Sequence, residues 1–193
     1  CTIQRSWLAV DDCGNTAGCV QVVTRDVTPP VNDALGKDLN GDGSVDTLKM
    51  GAGQNTLTLP PGTGACVVRW LPSLGTRPVG LAQGHPVADA RCIPGGNQLD
   101  DAGHLVDPLV AEALKLNILV RLDPALGQRK VNSFGCTISP IVLQNLGQRE
   151  NSDINELLRV TNTAIGKIAL QPHLNELLAA LRCIDGPLEV CKE

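Results

Sequence analysis

Nine consecutive residues, Asp38-Leu39-Asn40-Gly41-Asp42-Gly43-Ser44-Val45-Asp46, carry the strongest chemical pattern in this chain. Oxygen-bearing side chains alternate around a glycine turn, which is the spacing a calcium ion requires. Calcium is a hard cation that takes six to eight oxygens, and alternate positions of the loop supply Asp38, Asn40, Asp42, the Ser44 carbonyl and Asp46. Gly43 permits the sharp turn. The twelfth position, where a helix-loop-helix sensor places a bidentate Glu, holds Lys49, so a sensor is excluded. The expected ion is structural: Asp38, Asp42 and Asp46 repel one another without it, and an ion that binds only the folded form stabilises that form by mass action.

Nothing else in the sequence has comparable specificity. Three histidines are present. His85 precedes a proline, His104 follows Asp100 and Asp101 and comes before Asp107, and His173 stands at a helix start. None has a neighbouring Ser or Cys in a nucleophile elbow. The Asp100, Asp101, His104 and Asp107 group meets no spacing requirement for a metal or an acid/base pair and reads as a solvated approach to a helix. Gly51-Ala52-Gly53 lacks the third glycine of a phosphate loop and reads as a turn. No catalytic constellation is expected, and the chain is read as non-enzymatic.

Composition narrows the function classes further. A length of 193 residues fits one domain or two small ones. There is no Tyr, one Phe (Phe134) and two Trp (Trp7 and Trp70), so the core must come from Leu, Val, Ile and Ala. Stacking platforms for bases or sugars are scarce. A net charge of -4 with no basic run gives no electrostatic footprint for nucleic acid or an acidic membrane. No apolar run reaches the length of about 18 residues that suggests a membrane helix. Eight cysteines without a CxxC pair or zinc spacing predict disulfides, and hence an extracellular or cell-surface location. With no signal peptide in the numbered chain, a mature protein or an excised piece of a longer one is expected.

The elements that must position the loop are predicted as an α+β arrangement stapled by disulfides. Residues 1–28 read as a β-hairpin with Ile3, Arg5 and Trp7 on one face, a turn at Asp12-Cys13-Gly14-Asn15 and a return strand from Cys19. Cys13 and Cys19 flank the turn and are expected to bridge it. Thr28-Pro29-Pro30 should end that unit, with 29–37 an extended linker. The body, 38–193, should begin with a small antiparallel β region: strands at 55–59 and 65–71 joined by Pro60-Pro61-Gly62-Thr63-Gly64, with Cys66 bridged to Cys92. Residues 84–103 read as loop. Asp107-Pro108 starts a helix, whose later alternation of Leu114, Leu116, Ile118, Val120 and Leu122 predicts a strand-like exit.

Two helices follow. One begins near Ser152, buries Ile154, Leu157, Leu158, Thr161 and Ile165, and ends at Gly166. The other begins near Pro172 and buries Leu174, Leu177, Leu178 and Leu181. Cys136, Cys183, Cys191 and Cys1 pair in an order the sequence does not fix.

The run from Arg5 to Cys19, followed by Thr28-Pro29-Pro30, resembles the closing two strands of hyalin-like (HYR-like) immunoglobulin-type repeats over about a seventh of the chain. That resemblance implies an Ig-like sandwich belonging to a large extracellular surface protein. The other strands of the sandwich are missing, so Trp7 and Val22 need cover, and an isolated hairpin is marginal in water. Either the rest of this chain covers them, or the hairpin adds its strands to a neighbouring subunit, which would build an open filament. The region from Leu105 onward resembles the tail module that follows such repeats in secreted bacterial proteins. The loop at 38–46 resembles FG-GAP and thrombospondin-type calcium loops, although a propeller would need several copies. Cys1 also matches the start of a mature bacterial lipoprotein, but the repeat-like strand accounts for it better.

These readings converge on an extracellular structural module of a surface assembly or filament, held by Ca2+ and disulfides, with self-association or neighbouring surface-protein repeats as partners. An adhesin or ligand-binding module of a larger surface protein is the alternative. An accessory domain of a secreted hydrolase is a third class.

Overall fold

The computed structural model describes residues 2–11, 14–24, 28–53, 55–71, 73, 75–81, 84, 88, 92, 98–146, 152–166 and 171–185. The chain divides into two units, one carrying the N-terminal hairpin and one beginning at Thr28. The mixture of helices with small antiparallel sheets agrees with the α+β expectation.

In the first unit, β1 (Thr2–Val10) pairs antiparallel with β2 (Thr16–Thr24) in an unbroken ladder from Thr2↔Thr24 to Val10↔Thr16. Asp11 sets the turn. Its carboxylate accepts from the backbone and side-chain amides of Asn15, both at 2.8 Å, the short-range bonding that makes Asp and Asn turn residues. β2 begins three residues earlier than expected and places Cys19 opposite Trp7. Cys19 is an exposed free thiol, and Cys13, its expected partner, lies outside the described residues. Asp12 lies outside them too, as do the side chains of Trp7 and Val22.

The second unit opens with a correction. Residues expected to form an extended linker instead form helix α1 (Thr28–Leu35), with Ala34 and Leu35 fully buried. The reason is local. Pro29 and Pro30 occupy the first turn, where an N–H has no intrahelical acceptor and its loss costs nothing. β3 (Leu48–Ala52) and β4 (Asn55–Leu59) form the small antiparallel sheet. Gly51 is required there: its φ is +85°, and a side chain would run into the Asn55 carbonyl and Leu81.

The segment expected to be a strand at 65–71 is helix α2 (Gly64–Trp70). Cys66, Val67 and Trp70 are buried while Ala65 and Arg69 are exposed, a three-to-four residue period rather than alternation. Trp70 is wholly buried, and its indole N–H donates to the Cys92 carbonyl at 3.1 Å. The expected Cys66–Cys92 disulfide fastens the same corner, with Cα atoms 4.9 Å apart.

Helix α3 (Pro108–Leu122) is the centre of the unit and stays helical to its end, without the expected strand-like exit. Nine of its residues are buried, and they lie on every face. A helix enclosed all round shows no clean stripe, which is why its apolar residues also satisfy an alternating pattern. α4 (Pro124–Gln128), a 3-10 turn (Val131–Phe134) and α5 (Pro140–Asn145) lead to the long helices α6 (Ile154–Gly166) and α7 (Gln171–Asp185). α6 and α7 bury the residues their periodicity predicts. α3 packs against α1, α6 and α7, and α6 against β3. Cys136 is joined to Cys183, pinning α7.

Candidate functional site

The loop at 38–46 is knit by its own carboxylates. Asp38 accepts from the amides of Gly41 and Gly43, both at 2.7 Å, one through each carboxylate oxygen. Asn40 Oδ1 accepts from Asp42 N at 2.9 Å, and Asp42 Oδ1 from Ser44 N at 2.8 Å. Asp46 Oδ2 accepts from Leu39 N at 2.7 Å and from Asn40 N at 3.3 Å. Gly41 and Gly43 take the positive φ values, 75° and 86°, that this winding demands. The Gly43 amide, with those of Gly41, Asp42 and Asn40, holds the Asp38 carboxyl below the ordinary carboxylate range against a smaller opposing desolvation.

All five sequence-predicted ligands, Asp38, Asn40, Asp42, Ser44 and Asp46, therefore share one exposed turn. Among the described residues, however, no three His, Cys, Asp or Glu side chains are gathered as a metal-holding group. The fit to a hard cation lies in residue type and spacing, and the carboxylates here face backbone amides. Lys49, at the twelfth position, lies on β3 with its side chain exposed.

What fixes the loop to the body is a residue the sequence reading passed over. Arg121, near the end of α3, is 8% exposed. Its Nη1 donates to the Asp46 carbonyl at 2.6 Å and to the Ala34 carbonyl, at the end of α1, at 3.4 Å. Burial pushes its pKa down, opposed by the charge of Asp46. Lys37 adds a bond from Nζ to the Leu122 carbonyl at 3.2 Å. The signal in the sequence was a cation among the apolar residues that end this helix, where an unpaired charge is costly.

The acidic group before α3 resolves into structural roles. Asp107 is 6% exposed and accepts four backbone N–H bonds. Oδ1 caps α3 through Leu109 N and Val110 N at 2.7 and 3.0 Å, and Oδ2 takes Val79 N and Gly80 N, both at 2.6 Å. Asp100 Oδ1 closes a tight turn by accepting from Ala102 N and His104 N, each at 2.9 Å. The His104 amide is the main cause of its lowered pKa. His104 Nδ1 stands 3.6 Å from Asp100 Oδ2, an ion-pair distance when the ring is protonated. His173 lies on α7 with Nδ1 buried and unpartnered, and His85 is outside the described residues.

Beside the loop runs an open groove of about 550 Å³ between β3, α3 and α6. Leu39, Leu48 and Leu158 contribute apolar lining, and Lys49, Arg121, Arg159, Asn117, Asn155 and Asn162 the larger polar groups. Asn162 is fixed by accepting the Gly51 amide at 3.1 Å, and Asn117 by donating to the Ala113 carbonyl at 2.7 Å. Arg159 makes a two-pronged pair with Glu156 at 2.7 and 2.8 Å, which raises its already high pKa through the hydrogen bond first and the charge second.

Comparison with protein-family models, with curated proteins and with solved structures returned no match for this chain. The disulfides among the described residues, Cys66–Cys92 and Cys136–Cys183, are the kind of bond that persists in oxidising compartments. No helix among the described residues is long and apolar enough to cross a membrane.

Proposed function

We propose that this chain is a non-enzymatic extracellular structural module that joins a surface assembly or filament by donating its N-terminal strands. The observation that carries this reading is the β1–β2 hairpin. Its ladder is two-stranded among the described residues, so among them neither outer edge is paired, and an unpaired edge is the template for adding strands from another chain. On one face, Leu8, Val10 and Val20 are 72%, 61% and 57% exposed. The register groups them: Leu8 lies opposite Gly18, Val10 opposite Thr16 and Val20 opposite Ser6, with alternate residues sharing a face. An apolar stripe on a strand pair is the feature of a sheet that belongs in a sandwich, and the resemblance to hyalin-like repeats supports the same reading.

In this proposal the occupant of the edge is a second copy of this chain or a neighbouring repeat of the same surface protein. Calcium serves stability. Asp38, Asn40, Asp42, the Ser44 carbonyl and Asp46 would hold it, and the ion would offset the repulsion among the three carboxylates. Because Arg121 bolts Asp46 to α1 and α3, the ion would stiffen the body at that corner.

The test is electron microscopy of the purified protein with and without a calcium chelator. Ordered fibres that disappear when residues 1–28 are deleted are the expected result. A monodisperse monomer at all concentrations, with or without calcium, overturns strand donation.

A further inference from the structure

The groove between β3, α3 and α6 carries a charge opposite to that of the molecule. The chain bears a net charge of -4, yet Lys49, Arg121 and Arg159 line the groove and, among the described residues, no Asp or Glu does. Glu156 neutralises Arg159 and the charge of Asp46 acts on Arg121, while Lys49 has no carboxylate partner among the described residues. Arg121 matters most, because nine-tenths of it is buried. Its only hydrogen bonds among the described residues run from Nη1 to two backbone carbonyls, and its other guanidinium donors, which are not among the buried unpartnered atoms, have no acceptor among those residues and open to solvent. Because Arg121 lines the groove, an anion there would meet these donors in charge-assisted hydrogen bonds, about twice as strong as neutral ones.

The other lining groups say what kind of anion. Asn117, Asn155 and Asn162 present carboxamides, which both donate and accept. Two of them are held in place by the bonds to Ala113 and Gly51 already described, so their free edges are pre-set. Such groups match hydroxyls, which likewise donate and accept. The α6 residues in the lining run from Asn155 to Thr163, and at 1.5 Å per residue this makes a trough roughly 12 Å long. A trough of that length suits an oligomer better than a single small ion. Aromatic residues are absent from the lining, so recognition would rest on charge and hydrogen bonds and would be salt-sensitive.

We infer that this groove is a binding site for an acidic oligosaccharide, its carboxylates meeting Lys49 and the Arg121 side of the trough and its hydroxyls meeting the asparagines. The site lies wholly in the second unit and does not depend on strand donation, so either proposal stands if the other fails.

The test is calorimetric titration of the full chain with a short oligouronate, a neutral oligosaccharide of the same length, and inorganic sulfate. The oligouronate is expected to bind, more weakly as salt rises. Lys49→Gln, an exposed substitution, should weaken binding about tenfold, the equivalent of about 1.4 kcal/mol. Glu156→Gln, which frees Arg159, should tighten it. Thermal unfolding of both variants near the wild-type temperature separates binding from folding. No oligouronate binding, equal binding of the neutral sugar, full competition by sulfate at equal concentration, or indifference to Lys49→Gln would each overturn the inference.

Discussion

Replacement of Asp107 by alanine tests the structural reading of the acidic group before α3. The wild-type carboxylate satisfies four backbone donors, two at the start of α3 and two at Val79 and Gly80. Loss of a helix cap costs about 1 kcal/mol and up to about 2. The Val79 and Gly80 amides lose charge-assisted bonds, worth roughly 1.5–3 kcal/mol each when buried. Because Val79 is 45% exposed, water recovers part of that, and about 1 kcal/mol apiece is a fair figure. The total is about 3–4 kcal/mol. At roughly 2–4 °C per kcal/mol for a domain of this size, the melting temperature should fall by about 10 °C, measured by circular dichroism under oxidising conditions. Asp107→Asn should recover only part of the loss, since its amide nitrogen would meet N–H donors at one of the two carboxylate positions. If Asp107→Ala unfolds within about 2 °C of the wild type, the four-bond role is wrong, and a chemical role for this carboxylate would need a fresh hearing.

Four further outcomes follow from the geometry. Asp38 has a depressed folded pKa, so its contribution to stability is complete above the unfolded carboxylate pKa and is lost as pH falls through the lower folded value; the Gly41 and Gly43 amide resonances should move only in that acid range, and titration at or above the ordinary carboxylate pH would refute the bonding. Calcium at a hundredfold excess over its dissociation constant should stabilise the protein by about 2.7 kcal/mol, and Asp42→Ala should abolish the shift in melting temperature; equal stability with chelator would remove calcium from the account. Replacing Cys136 and Cys183 by serine opens a loop with a sequence separation of 47, worth about 4 kcal/mol by loop entropy, and should show as faster amide exchange in α7, where unchanged protection would contradict the role assigned. Gly166→Ala should destabilise by roughly 1–3 kcal/mol, because a methyl there meets the Ala52 backbone; wild-type urea stability would show that α6 can move away from β3.

Features that depend on neighbours in the chain were legible in the sequence. The Asp107 cap, the stripes of α6 and α7, the hairpin at the N-terminus and the Cys66–Cys92 staple were all read from local spacing. Helices α1 and α2 were misread because the signals used were ambiguous within a few residues: two prolines fit a helix's first turn as well as a spacer, and 65–71 is a short apolar run with two valines, which periodicity alone cannot tell from a strand. Which pattern wins at α2 depends on Trp70, buried beneath Cys92 with the indole bonded to its carbonyl, a contact 22 residues away.

The residues Asp38 to Asp46 by themselves determined a turn rich in hard oxygen donors, since glycines at the right places and Asx bonding to nearby amides are short-range properties. Only the tertiary structure decided what that turn is attached to. Arg121 reaches Asp46 and Ala34 across 75 and 87 residues, and the groove beside it is assembled from one strand and two helices distant in sequence. No periodicity records such meetings, because they arise from how a helix enclosed on all sides must lay its buried Arg121 against whichever carbonyls the rest of the fold leaves open.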